Sequence, residues 1–276
     1  MLREFRFKRG IKKAIASSSR TPVIVYTLSK TASTSVLAAL QRIPHQAAFQ
    51  VHVISPSGLA RIRTAARERG IGGEHTWEPI ALGSTIHDCL IRPRRRAKIV
   101  TLLREPISRN ISFYFEILDV LWKTERAHEH IGLDRLMREF AERFNHDRAI
   151  KWFDDEYQQV LGVDVYDHEF PRERGFLRID SGPYEILLMH HDLNDRVKEK
   201  CMAELVGVPS IAISPRNQSI QKQYGETYRQ FIERLRFPAS YVDRMLDSKY
   251  ARHFYSSEEL ARLRNKWLNN GKGDHD

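Results

Sequence analysis

Short apolar runs alternate with segments of helical periodicity along the first half of the chain. Residues 23–28 and 98–103 are mainly apolar runs with the length of buried strands, and residues 49–55 are predicted to form another strand. Val36 and Leu40 then recur at helical spacing after the first run. The pattern predicts an α/β domain in which a central parallel sheet is flanked by helices.

The second half of the chain is predicted to be mainly helical, with one pair of strands. Residues 176–179 and 184–189 are predicted strands, joined by the turn-forming Ser181-Gly-Pro183. We therefore expect a sheet of four or five strands and a helical C-terminal portion. Helical periodicity covers residues 131–144, 146–161, 193–206 and the region after Ser214.

The loop after the first predicted strand carries one lysine and several hydroxyls. Its sequence is Ser29-Lys-Thr-Ala-Ser-Thr-Ser35, and a predicted helix follows. A helix N-terminus presents unpaired N–H groups and the positive end of the helix dipole, which together favour a phosphate. The loop therefore predicts a phosphorylated ligand, although a helix cap rich in Ser and Thr would give the same pattern.

This loop lacks the glycines of the common phosphate-binding motifs, G-x-x-x-x-G-K-[ST] and G-x-G-x-x-G. It resembles the 5′-phosphosulfate loop of sulfotransferases that use 3′-phosphoadenylyl sulfate (PAPS), in which a Lys or Arg precedes a Ser/Thr-rich turn. The resemblance implies a P-loop-NTPase-like sulfotransferase fold, with Lys30 as catalytic stabiliser of the leaving group. It also implies that the nucleotide contacts Lys30, Thr31, Ala32, Ser33, Thr34 and Ser35.

A second motif follows the third predicted strand. Arg104-Glu-Pro-Ile-Ser-Arg109 begins a predicted helix, and Pro106 suits the first turn of that helix. Ser112 lies two turns further on. The arrangement resembles the 3′-phosphate motif of sulfotransferases, which implies that Arg104 and Ser112 hold the 3′-phosphate. A surface salt bridge for Arg104 and a solvated position for Ser112 are the alternatives.

The predicted second strand carries a histidine. The Lys30 motif followed by Val51-His-Val-Ile54 resembles the uronyl and heparan 2-O-sulfotransferases, in which a histidine on this strand is the proposed catalytic base. The resemblance implies that His52 is the base, and His87 is the second candidate. A structural histidine is the alternative for His52. Other glycan sulfotransferases use a glutamate, for which Glu74 and Glu78 are lower-ranked candidates.

These residue types fit sulfuryl transfer. The acceptor hydroxyl must lose a proton as it attacks, and a neutral imidazole suits that task near pH 7. A lysine and backbone N–H groups stabilise the charge that develops on the leaving phosphate. No metal is required by this scheme. The sequence contains no Cys-x-x-Cys, and His190 and His191 are adjacent rather than helix-spaced.

Two C-terminal stretches suggest the acceptor. Ala251-Arg-His-Phe-Tyr255 and Asn265-Lys-Trp267 resemble a group of bacterial capsular polysaccharide synthesis proteins whose N-terminal motifs are sulfotransferase-like. The resemblance implies a carbohydrate acceptor. In sulfotransferases a late loop closes over the nucleotide, which implies a nucleotide contact for Arg216.

Composition fits one enzyme-sized domain with anionic partners. The chain has 276 residues, 41 % of them hydrophobic, so we expect a basic arm at 1–20 and a single sulfotransferase-like domain at 21–276. Its formal net charge of +10 favours the nucleotide and an acidic glycan, and we expect no nucleic acid. Cys89 and Cys201 are too few for a disulfide scaffold, and the sequence does not tell whether they pair.

Hydropathy predicts no membrane span. No run of about 18 apolar residues occurs, and the basic residues 1–20 lack the apolar core of a signal peptide. We expect a solvated arm, with an amphipathic helix that touches a membrane surface as the alternative. Animal glycan sulfotransferases of the type that this chain resembles usually carry a membrane anchor. Its absence suggests either a cytoplasmic bacterial enzyme or a shortened chain, and the initial methionine favours the former.

The sequence therefore predicts an enzyme that moves the sulfuryl group of PAPS to a hydroxyl of a carbohydrate and releases adenosine 3′,5′-bisphosphate (PAP). Two other functions remain open. One is a nucleotide-dependent kinase with a degenerate phosphate loop. The other is a non-catalytic module whose basic surface binds an anionic polymer.

Overall fold

The computed structural model describes residues 2–68, 70, 74–214 and 223–269, with the backbone alone for 74–76. Its contacts divide the chain into two compact units, and each unit draws on separated parts of the sequence. Unit 1 consists of Met1–Leu103, Trp152–Pro171 and Gly175–Arg216, and unit 2 of Arg104–Lys151, Arg172–Arg174 and Asn217–Asp276.

Unit 1 contains a five-stranded sheet with the order β2-β1-β3-β5-β4. Strand β4 is antiparallel to β5, and the other neighbours pair in parallel. The predicted α/β class with a mainly parallel sheet is therefore confirmed. The strands are β1 Val23–Tyr26, β2 Ala48–Val51, β3 Ala97–Leu103, β4 Phe176–Ser181 and β5 Tyr184–His190.

Both faces of this sheet are buried, which is why its central strands are continuous apolar runs. Val25 and Val100 belong to a core that includes residues of the helices Ser33–Gln41 and Asp195–Val206. The ring of Tyr26, which lies on the alternate face, stacks on Tyr157 at 5.3 Å. The helices of unit 1 include α1 Leu2–Ser17, α2 Ser33–Gln41, α3 Pro56–Glu68, α4 Glu74–Ile86, α10 Gln159–Leu161 and α11 Asp195–Val206.

The order of the strands places a switch point at β1. The chain passes from β1 to β2 on one side and then returns to β3 on the other side. Parallel sheets bind ligands in the crevice at the carboxyl ends of strands where the direction reverses. Thr27 marks this edge, because its backbone N–H bonds to Val51 and its hydroxyl donates to the carbonyl of Leu102 at 2.8 Å.

Residues 2–17 form a packed helix, which differs from the solvated arm expected for this segment. Ile11 and Ile15 of α1 are buried. Phe7 meets Trp77 of α4 edge to face, with 5.4 Å between the ring centroids. Helix α1 is therefore a part of unit 1.

Unit 2 is helical, as predicted for the C-terminal portion. Its core contains Phe140, Phe231 and Trp267. The tryptophan of the Asn265-Lys-Trp267 motif is therefore a packing residue. The remaining helices are α5 Pro106–Glu116, α6 Leu118–Trp122, α7 Ala127–His130, α8 Leu133–Arg143, α9 Arg148–Trp152, α12 Gly225–Arg234, α13 Ala239–Leu246, α14 Lys249–Phe254 and α15 Ser257–Leu268.

Two predicted elements have different boundaries in the structure. The strand predicted at 49–55 ends at Val51, so His52 follows β2 instead of lying in it. The helix predicted at 146–161 is interrupted by a π-helical turn at Phe153–Gln158. Turns of this kind are rare in proteins, and those that occur are often found at functional sites. No helix among the described residues is both long and apolar enough to cross a bilayer, and Cys89 and Cys201 form no disulfide.

Candidate functional site

The Lys30 loop, residues 29–35, has an unusual backbone. Lys30 has a φ of 71° and Ala32 a φ of 61°, both in the left-handed region, whereas Thr31 between them does not have a positive φ. Ser33 begins α2 in the right-handed region. Alternation of left- and right-handed residues is the backbone pattern of an anion-binding nest. Because neither residue is glycine, each left-handed position costs roughly 1–2 kcal/mol.

The side chains of the loop divide into shaping and accessible groups. The buried Thr31 hydroxyl donates to the carbonyl of Leu28 at 2.9 Å, which closes the turn. Ser33 and Ser35 are also buried, whereas Ala32 and Thr34 are exposed and Lys30 is half-buried. Thr31 therefore shapes the loop through its hydroxyl. The predicted nucleotide contacts of the loop stay predictions, and its backbone is suited to them.

His52 is held in a defined tautomer beside the start of this loop. Its Nδ1 lies 2.6 Å from the carbonyl oxygen of Thr27. A carbonyl oxygen only accepts, so Nδ1 carries the proton and Nε2 of the neutral ring is an acceptor. The Nε2 atom lies 3.3 Å from the amide Nε2 of Gln50. This is the arrangement expected of a general base, and the assignment of His52 as the base stays a prediction.

A buried glutamate organises the turn after His52. One oxygen of Glu156, Oε2, accepts from the Tyr26 hydroxyl at 2.5 Å and from the backbone N–H groups of Ile54 and Ser55 at 2.9 Å each. The other oxygen accepts from the Ser55 hydroxyl at 2.6 Å. Burial, followed by the charge of Glu156, raises the pKa of Tyr26 well above its usual range. The carboxylate thus fixes the chain between His52 and α3.

Sequence reasoning missed this role for Glu156, because its partners are about a hundred positions away along the chain. The π-helical turn places Glu156 at the point where α3 begins. A Cβ added at Gly58 would lie 2.5 Å from Oε1 of Glu156, so only glycine fits at that position. The sequence did contain one indication that Glu156 is buried. It lies three residues after Phe153 and next to Tyr157, which places it on the buried side of a helix.

The other base candidates are His87, Glu78 and Glu74. His87 begins the π-helical turn His87–Ile91 after α4, and its Nδ1 lies 3.4 Å from Asp88. Within the part of the chain that the structure describes, its polar contact is with Asp88 and not with His52 or the Lys30 loop. Glu78 is half-buried in α4, and the side chain of Glu74 lies outside the described part.

A groove of about 500 Å³ reaches Gln50, which contacts His52. It lies between α1, α2, α4 and the edge strand β2, and Gln50 lines it. Gln50 is also the residue whose amide contacts Nε2 of His52. Because most of the other lining side chains are apolar, such as Phe7 and Leu82, the groove offers no phosphate ligands of its own beyond Arg6.

In unit 2, the Arg104 segment, residues 104–112, begins directly after the last residue of β3. The Tyr250 hydroxyl holds the backbone of Arg104, accepting from its N–H at 3.2 Å and donating to its carbonyl at 3.0 Å. The Arg104 Nε donates to the Ser108 hydroxyl at 3.1 Å. Glu105 caps α5 by accepting from two backbone N–H groups, with Pro106 in the first turn as predicted.

Arginine side chains accumulate in this segment. Arg109 is 1 % exposed, donates to Oδ1 of Asn110 at 3.1 Å and lies 4.5 Å above the ring of Phe113. Burial and then the charges of Arg148 and Arg104 lower the pKa of Arg109 to about 9. A buried guanidinium group that is destabilised by two nearby charges of the same sign becomes more favourable beside a multiply charged anion.

The remaining predicted nucleotide residues differ in accessibility. Ser112 is 1 % exposed in α5, so Arg104, which is half-buried, is the more accessible member of the predicted pair. Arg216 lies outside the described residues. Arg109 and Arg148 were not among the predicted ligands. The spacing of Arg104 and Arg109 was a usable signal for the first of them, whereas nothing near Arg148 in the sequence distinguished it.

The described residues contain no cluster of three or more His, Cys, Asp or Glu side chains placed to hold a metal ion.

Comparison with known proteins gives one match. Residues 130–256 match the model of a family described as "Putative capsular polysaccharide synthesis protein" (NKWYS). The similarity predicted from the C-terminal stretches is thereby confirmed for this family.

The match covers a little under half of the chain and contains neither the Lys30 loop nor the Arg104 segment. No curated protein matches. No solved structure matches. The resemblance of the N-terminal motifs to sulfotransferases therefore stays a prediction.

Proposed function

We propose that this protein transfers the sulfuryl group of PAPS to a hydroxyl group of a carbohydrate. The observation that carries the proposal is the Lys30 loop, a glycine-free nest at the switch point of a parallel sheet, next to a histidine whose Nε2 is an acceptor. The matched family is named for capsular polysaccharide synthesis, which supports a glycan as the acceptor.

The donor would be held by its phosphates. Backbone N–H groups of the Lys30 loop and the Lys30 ammonium would bind the 5′-phosphate, where negative charge grows as the bond to sulfur breaks. Arg104 would bind the 3′-phosphate, with Arg109 and Arg148 adding positive charge.

His52 would act on the acceptor. Its Nε2 would take the proton of the acceptor hydroxyl while the new oxygen–sulfur bond forms and the bond from sulfur to the 5′-phosphate oxygen breaks. The products would be the sulfated carbohydrate and PAP. The hydrogen bond from Nδ1 to the Thr27 carbonyl would then stabilise the imidazolium, and Glu156 would keep His52 in place through the turn at Ser55.

Substitution of the two histidines tests the base. His52→Ala is expected to lower turnover of PAPS by roughly 10²-fold or more while PAP affinity stays unchanged. His87→Ala is the matched control and should keep nearly full turnover. Loss of turnover in His87→Ala with full turnover in His52→Ala would transfer the role of base to His87. Full turnover in both variants would show that neither histidine is the base.

Ligand-dependent thermal stability tests the class of protein. PAP should raise the melting temperature at micromolar concentration, whereas ATP with magnesium should have little effect. A larger shift with ATP and magnesium would favour the kinase. Binding to dextran sulfate that falls steeply with salt, without any response to PAP, would favour the polymer-binding module.

A further inference from the structure

Helix α1 buries one face and exposes the other. Ile11 and Ile15 lie on the buried face. On the opposite side, Leu2 and Phe5 are 66 % and 65 % exposed, which makes them, with Val120, the large apolar side chains left exposed among the described residues. The periodicity of a helix aligns them with Arg9 and with the two lysines that follow. The exposed side is called the α1 outer face: Leu2, Phe5, Arg9, Lys12 and Lys13.

The α1 outer face is strongly basic. The helix contains six Lys and Arg residues and one Glu, a net charge of +5, which is half of the formal +10 of the whole chain. Glu4, the single acid, bonds to Lys8 at 2.7 Å on the flank of the helix. This pairing lowers the pKa of Glu4. The positive charge of the outer face itself is therefore not compensated within the helix.

Basic and apolar groups together distinguish between two kinds of anionic partner. A nucleic acid or an acidic polymer would use the cations but would gain nothing from Leu2 and Phe5. A bilayer uses both, because its phosphates attract the cations and its interfacial region accommodates apolar side chains. The two apolar residues occupy the first two turns of the helix, and the cations continue for two turns after them.

We propose that unit 1 binds the surface of an anionic membrane through the α1 outer face. Arg9, Lys12 and Lys13 would bind lipid phosphates, and the side chains of Leu2 and Phe5 would enter the interfacial region. Ile11 and Ile15 would remain packed in unit 1, so docking would need no unfolding of α1. The inference does not depend on the proposed sulfotransferase activity.

Vesicle binding by the full chain tests the electrostatic part. The protein should sediment with mixed phosphatidylcholine–phosphatidylglycerol vesicles but not with phosphatidylcholine alone, and high salt should weaken binding roughly tenfold or more. Arg9→Glu with Lys12→Glu and Lys13→Glu should weaken it by a similar factor. A control with equal charge change, Arg138→Glu with Arg229→Glu and Arg262→Glu, reverses exposed arginines of unit 2 and should bind almost normally.

The apolar part needs its own variant. Leu2→Ser with Phe5→Ser keeps the charge and should still weaken vesicle binding roughly tenfold. Equal loss in the two charge variants would overturn the proposal, because binding would then follow net charge alone. Full vesicle binding by the Leu2, Phe5 variant would also overturn it, as would duplex DNA displacing the vesicles. So would concentration-dependent dimerisation that this variant abolishes, since α1 would then be a protein interface.

Discussion

The Lys30 loop in unit 1 and the Arg104 segment in unit 2 are both predicted to bind phosphate, but they are constructed differently. The Lys30 loop depends on backbone geometry, with two non-glycine residues at positive φ and a threonine hydroxyl that closes the turn. The Arg104 segment depends on side chains, with a buried guanidinium group, Arg109, whose pKa is lowered first by burial and then by the charges of Arg148 and Arg104. The Lys30 loop holds two residues in an unfavourable backbone conformation, and the Arg104 segment holds a guanidinium group in an unfavourable electrostatic environment.

This difference predicts where each site is sensitive. The geometry of the Lys30 loop should respond to changes in backbone freedom and to loss of the buried groups that support it. The Arg104 segment should respond to anions and to removal of charge. The variants below test this distinction in order of decreasing effect, and hydrogen exchange of peptides from each unit shows which unit responds.

Removal of the Glu156 carboxylate should have the largest effect. Glu156→Ala leaves four donors around Tyr26, Ile54 and Ser55 without their acceptor, which should cost about 3–5 kcal/mol of unfolding free energy. Urea denaturation measures the loss, and exchange should increase in peptides that contain residues 52–60. Asp155→Ala is the control on the same turn, because its surface pair with Arg61 at 3.6 Å should contribute below about 1 kcal/mol. Equal losses in the two variants would contradict the central role of Glu156.

Inorganic phosphate should stabilise the Arg104 segment by up to about 2–3 kcal/mol at saturating concentration, because an anion relieves the repulsion among its arginines. Melting temperatures in phosphate and in chloride at equal ionic strength measure this effect. Arg109→Met should reduce the phosphate effect and cost little stability in chloride, since it removes a buried charge that lies near two others. An undiminished phosphate effect in Arg109→Met would show that the anion binds elsewhere.

Relief of backbone strain should stabilise the Lys30 loop by about 1 kcal/mol. Ala32→Gly suits the φ of 61°, whereas Ala32→Val at the same position should destabilise by a similar amount or more. Chemical denaturation of both variants tests the sign. Gly and Val variants of equal stability would mean that the left-handed conformation at position 32 does not exist in solution.

The smallest predicted effect is a pH dependence confined to unit 2. Burial lowers the pKa of His146 from its usual 6.5. Its Nε2 donates to the carbonyl of Phe140 at 2.7 Å, so the neutral ring accepts from the Tyr241 hydroxyl at Nδ1. The unfolded chain then binds more protons below pH 6.5, and the stability of unit 2 should fall as the pH is lowered from there towards the folded pKa.

Exchange rates of unit 2 peptides at pH 7.5 and pH 5.5, corrected for intrinsic exchange, measure this effect. His146→Gln retains hydrogen-bonding groups and should remove the pH dependence. Persistence of the same slope in His146→Gln would mean that His146 is not its source.

The fold class and the positions of the strands could be predicted because the buried strands are continuous apolar runs, as in Ala97–Leu103. The hairpin at Ser181-Gly-Pro183 was predictable from its turn residues. The packing of α1 was not, because six cations dominate its composition and hide a narrow apolar stripe that contains Ile11 and Ile15. The division into two units was also not predictable, since it depends on long-range contacts.

The candidate site was predictable only where its functional residues are adjacent in the sequence. The Lys30 loop and the Arg104 segment each follow a strand within a few residues. Neither the positive φ of Ala32 nor the tautomer of His52 has a sequence signature, and the tautomer depends on the carbonyl of Thr27, which follows a different strand. Glu156 was missed for the same reason, as its partners come from a different part of the chain.

The interleaving of the two units has a consequence for biosynthesis. Strand β5 lies between β3 and β4 in the sheet, and the chain that separates β3 from β5 contains much of unit 2. The ribosome must therefore synthesise β5, Tyr184–His190, before the sheet of unit 1 can be completed. Until then the edge of β3 that pairs with β5 has no partner strand. The emerging chain thus exposes a hydrophobic strand edge for a long time, which makes shielding by chaperones during translation an expected requirement of this architecture.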